Sequence, residues 1–153
     1  MSKNKSGSKL LSHPMHPIFT HFPMALWTIS LLWDLLGFLR GDSLWWSFSK
    51  WSIAVGLIFA FLAIITGLVD FGKVPKEGPS ETIAMKHMLL VISASVCYGG
   101  SFFFRLGSLI PTGYHFIFAE SLSVIGFLLL LIGGWYGGEL VYRHGIGRRN
   151  SDS

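Results

Sequence analysis

The feature that most constrains this chain is a set of four long apolar runs, at residues 18–39, 51–71, 83–104 and 116–142. A helix of about 20 apolar residues crosses the roughly 30 Å hydrocarbon layer of a bilayer, and each run is long enough. Polar or helix-breaking residues separate them: Gly41-Asp42, then residues 73–80 with Pro75 and Pro79, then Pro111-Thr112-Gly113. The expected fold class is therefore all-α, an integral membrane four-helix bundle. Charge agrees, because only 13% of residues are charged, against roughly 25% in a soluble domain. No linker composition interrupts the chain after residue 17. The expected organisation is a polar basic N-terminal segment (1–17), a four-transmembrane-helix domain (18–142) and a basic tail (143–153).

Orientation follows from the cations. Four spans put both termini and the second connection on one side, with Lys3, Lys5, Lys9, Lys73, Lys76, Lys86, Arg143, Arg148 and Arg149. The other side holds Arg40, Lys50 and Arg105. The positive-inside rule then predicts that both termini are cytoplasmic. Trp45, Trp46 and Trp51 are expected in an aromatic belt at the opposite interface. The first 12 residues lack the short apolar region and small-residue cleavage site of a signal peptide, so the first helix is expected to act as its own insertion signal.

Ionisable groups inside hydrocarbon cost about 2.5–3.5 kcal/mol each on insertion scales, so each needs a partner, a wet cavity or a function. Toward the side of the termini lie His13, His16, His21, Asp70, His87, Glu139 and His144. Toward the other side lie Asp34, His115 and Glu120; pairing of Asp34 with Arg40, or a water-exposed carboxylate, is the simplest expectation there. Glu139 and Arg143 have the four-residue spacing of an ordinary helix ion pair, while Glu139 beside His144 also has the makings of a proton relay.

The run His13-Pro14-Met15-His16-Pro17-Ile18-Phe19-Thr20-His21-Phe22-Pro23 is the densest local signal. Pro23 cannot donate its backbone bond to Phe19 and is expected to kink or interrupt the first helix. Neutral imidazole is the commonest metal ligand, so the candidate metal residues are His16, His21 and His87. His21 and His87, on different helices at similar depth, are the expected axial pair for a haem b iron, with Asp70 orienting His87. Met15, Met24, Met85 and Met88 at the same end would suit copper(I), or simply fill gaps. For every one of these histidines the competing reading is a hydrogen-bonded contact between helices.

Glycines at 56, 67, 99, 100, 133, 134, 137 and 138 are expected to let helices approach closely, within the chain or between chains. Cys97 is alone, which excludes a disulfide framework. No phosphate-binding glycine loop, nucleophile elbow or zinc-protease helix is present, and the cations sit in flanks rather than in a ladder for nucleic acid.

His16-Pro17-x-x-x-His21-Phe22-Pro23, Gly67-Leu68-x-Asp70, His87, and the run from Gly133-Gly134-Trp135-Tyr136 through Gly137-Gly138-Glu139-Leu140-Val141-Tyr142-Arg143-His144-Gly145 together resemble the bacterial membrane-protein family known as domain of unknown function 2231. The resemblance covers residues 13 to 147. It implies a bacterial inner-membrane four-helix protein, some of whose relatives are fused to Rieske-type iron–sulfur domains, which favours redox company. It carries over His16, His21, Asp70, His87, Glu139 and His144 as motif residues. This chain has no iron–sulfur Cys/His spacing, so a separate redox partner would supply that centre. Three functions compete: a haem b redox subunit with His21, His87, Asp70, Glu139 and His144 around the cofactor; a proton or metal-ion transporter or channel-like subunit; and a structural subunit of a membrane complex without cofactor.

Overall fold

The computed structural model describes residues 15–146, and the expectations for the N-terminal segment before them and the tail after them lie outside the described residues. Four helices account for nearly all of it: α1 (Met15–Arg40), α2 (Ser43–Phe71), α3 (Pro79–Phe104) and α4 (Gly113–Tyr142). All four are long and apolar enough to cross a membrane. Each exceeds its apolar run because the helical turns continue past the hydrocarbon into the connections. Pro23 does not interrupt α1, which runs through it with the proline ring buried against the bundle.

The connections show why the chain turns where it does. Gly41, at φ +66°, gives its N–H to the Gly37 carbonyl and ends α1; the Asp42 carboxylate then accepts from Leu44 N–H and caps α2. Pro79 stands in the first turn of α3, where its missing N–H does no harm. Between α2 and α3, Val74 packs with Ala84 and Leu140 and closes the end of the bundle that carries both ends of the described chain.

Buried positions recur every three or four residues along α1 and α2 and along most of α4. On α2 they are Trp46, Ser49, Ile53, Gly56, Ala60 and Ala63, and on α4 Ala119, Ser123, Gly126, Leu130, Gly133 and Leu140. A spacing averaging 3.5 is that of a left-handed coiled seam. The seam is mostly small residues, while Ile58, Phe61, Leu68, Phe103, Ile117, Leu128 and Trp135 point outward. In lipid this arrangement is sound, since burying Leu against Leu gains little over Leu against acyl chain, whereas small side chains let backbones close up. The packing makes two hairpins, α1 with α2 and α3 with α4, each packed far more extensively within itself than against the other.

Candidate functional site

His16 stands on the second residue of α1 and turns its ring onto α2. Its Nδ1 lies 2.8 Å from the Ala63 carbonyl, in a recess left by Gly67, where a Cβ would come within 2.9 Å of the ring. His87 does the same in the other hairpin: Nδ1 lies 2.7 Å from the Gly133 carbonyl, and a Cβ on Gly137 would approach the ring to 3.0 Å. Because a carbonyl can only accept, each Nδ1 carries the proton and each Nε2 keeps a free lone pair. The two rings face one another across the hairpins, with centroids 6.2 Å apart and planes at 88°. Neither Nε2 has a hydrogen-bond partner among the described residues.

The remaining sequence candidates are elsewhere. His21 is exposed, and its Nδ1 bonds back to the Pro17 carbonyl of its own helix. It is His16, not His21, that stands opposite His87. The orienting bond expected from Asp70 to His87 is not made: Gly133 supplies the acceptor, and Asp70 takes Lys73 Nζ at 2.7 Å. Glu139 pairs with Arg143 at 3.1 Å as its spacing implied. His144 is half-buried in the turn after α4. Met15, Met24 and Met85 are exposed. Among the described residues no three His, Cys, Asp or Glu side chains converge as a metal site.

At the opposite end of the bundle a second polar centre differs from expectation. Asp34 does not pair with Arg40, whose guanidinium lies over the Trp45 ring. Arg105, read from the sequence as a loop cation, folds back from the end of α3 and is only 2% exposed. Its two terminal nitrogens reach Asp34 Oδ1 and Oδ2 at 2.7 and 2.9 Å, one of them also meets Glu120 Oε1 at 2.8 Å, and its Nε bonds Ser101 Oγ. Ser101 and Ser123 share a hydrogen bond beneath it. The expected Asp34–Arg40 pair, or water-exposed Asp34 carboxylate, is thereby corrected to a buried carboxylate held on both oxygens by Arg105.

Between the two centres Trp27 stacks on Tyr98 at 4.3 Å, and the Tyr98 hydroxyl donates to the Trp27 carbonyl. These contacts reveal an internal repeat. His16, Trp27, Ser30 and Asp34 of α1 match His87, Tyr98 and Ser101 of α3 and Arg105 just past it at a constant offset of 71 residues, and Gly56, Ala63 and Gly67 match Gly126, Gly133 and Gly137 at an offset of 70. The residues that sequence reasoning missed, Arg105 and its serines, were findable by comparing the halves for such a period.

A family model described as a predicted membrane protein, DUF2231, matches residues 12–150. The chain belongs to that family. Neither a curated protein nor a solved structure matches it. Membership in DUF2231, with four apolar spanning helices, makes this a multi-pass membrane protein.

Proposed function

We propose that this protein is a redox subunit of a bacterial inner-membrane complex, with both termini cytoplasmic, in which His16 and His87 hold one b-type haem from its two sides. The observation that carries the reading is the imidazole pair with both Nδ1 atoms tied to backbone carbonyls and both Nε2 atoms free. That bond fixes the tautomer and the ring and makes Nε2 more basic, as at metal-ligating histidines generally. The ring centroids are 6.2 Å apart, so two ring nitrogens without partners, one from each hairpin, come to the same place. The ligand count favours haem. Two histidines are what a haem iron would ask of a protein, because a porphyrin brings four nitrogens of its own.

When bound, such a group supplies one-electron transfer. The chain's own part is to fix each imidazole in tautomer and orientation through its bond to a backbone carbonyl. The competing reading, histidines that merely fasten each hairpin, is favoured by the same two bonds, since each joins neighbouring helices.

An absorbance spectrum and pyridine haemochrome assay separate the two, using full-length protein made with haem available and purified in mild detergent. The redox reading expects a Soret band with a dithionite-induced shift, lost in both His16→Ala and His87→Ala and kept in His21→Ala. Wild-type protein without a Soret band, whose two alanine variants only melt earlier, would establish the fastening role instead.

A further inference from the structure

We infer that Asp34, Glu120 and Arg105 form a proton-binding site at the end of the bundle away from the histidines, with one proton shared by the two carboxyls and exchanged through Glu120. Charge counting starts the argument. Two carboxyls and one guanidinium meet where water is scarce, so full ionisation leaves one uncompensated negative charge. A single proton restores neutrality, as in any carboxyl pair too close for both to ionise.

The geometry says where that proton goes. Asp34 takes both parallel N–H bonds of the guanidinium, while Glu120 receives one bond on Oε1. Asp34 Oδ2 and Glu120 Oε1 both accept from the same guanidinium nitrogen, Nη2, at 2.9 and 2.8 Å, which brings the two carboxyls side by side. The Asp34 side chain is 4% exposed and that of Arg105 2%, but that of Glu120 is 22% exposed, so Glu120 is the least enclosed of the three.

A second observation is independent of the acids. Ser49 Oγ on α2 is fully buried and has no hydrogen-bond partner among the described residues. A hydroxyl can donate or accept, so a buried Oγ left over at this end of the bundle can answer a carboxyl in either protonation state.

Every helix contributes to the surroundings. α1 gives Asp34, α2 gives Ser49, and the end of α3 gives Ser101 with Arg105 just past it. α4 gives Ser123, Glu120 and, toward its start, His115, whose Nδ1 bonds the Phe104 carbonyl. Arg105 is the one cation among them. Release moves the shared proton to water and leaves the cluster at −1; uptake returns it to zero. No other reactant takes part.

Infrared pH-difference spectroscopy on the full chain in liposomes tests this. The expected result is a protonated-carboxyl C=O band near neutral pH that shifts in D2O, persists in Glu139→Gln, and is absent from Glu120→Gln. In Asp34→Asn the band should also vanish, because Glu120 becomes the sole counter-ion of Arg105. If Glu120→Gln fails to fold, Glu120→Asp must shift the band in frequency. An unchanged band in Glu120→Gln or Glu120→Asp, no band in the wild type, or a band displaced by Na+ at constant pH would each overturn the assignment, the last in favour of an alkali-cation site.

Discussion

Gly56→Ala tests the packing at the centre of the bundle. A Cβ at Gly56 would lie 2.2 Å from Trp27 Nε1 and 2.6 Å from Cδ1, far inside contact distance. Trp27 has nowhere to retreat. It is 1% exposed, stacked on Tyr98, and its Nε1–H donates to the Ile53 carbonyl. Overpacking a filled core costs about 1–3 kcal/mol, and losing the indole bond adds about 1 kcal/mol. Alanine regains about 1 kcal/mol over glycine in helix propensity. The net loss is about 1–3 kcal/mol, roughly a 5- to 150-fold fall in the folding constant at about 1.4 kcal/mol per tenfold. Gly99→Ala is the matched control, since nothing lies within 4 Å of its Cβ position; the same propensity gain should leave it neutral or more stable by up to about 1 kcal/mol. Reversible unfolding in mixed micelles, followed by helical circular dichroism, measures both. A Gly56→Ala protein as stable as Gly99→Ala would refute the packing argument.

Further predictions concern the two polar centres. Arg105→Leu leaves two facing carboxyls without their cation and should cost about 3–5 kcal/mol; Asp34→Asn should cost less, about 3 kcal/mol, because Glu120 still faces the guanidinium. The same unfolding assay reads both, and equal, negligible losses would contradict the buried network. Gly67→Ala and Gly137→Ala press on equivalent rings at nearly equal distance, so each should lose about 1 kcal/mol. On the haem reading they should lower haem occupancy in parallel, measured by pyridine haemochrome; loss in one variant alone would break the equivalence of the two hairpins.

The four spans and the punctuation between them were legible because length and hydropathy alone decide whether a helix can cross lipid. Helix phase at the histidines was present in the sequence but was not used in setting His21 opposite His87. At about 100° per residue His21 lies about 140° around α1 from His16, whereas Trp27, Ser30 and Asp34 fall within about 40° of it. That narrow stripe of proline, aromatic, serine and aspartate faces inward, and the apolar residues around it are the lipid surface, which is why overall hydrophobicity conceals the phase. The partner of Asp34 was not legible from local spacing. Arg40 is near in sequence but Arg105, 71 residues on, is near in space, and a cation at a helix end reads as flank until the end is seen to fold back. The same holds for Asp70 and His87, where a backbone carbonyl that no side-chain inventory counts takes the place of the carboxylate.

The internal repeat has a consequence for how such a chain can vary. Two identical hairpins about a two-fold axis would set His against His without difficulty, but they would equally set Asp against Asp or Arg against Arg at the far end. Two distinct half-sequences, here joined in one chain, let the equivalent positions diverge into Asp34 and Arg105. Their ion pair thereby acts as a key: it accepts the second hairpin in this register and rejects a duplicate of the first, so a stray copy of either half meets its own charge where its complement should be.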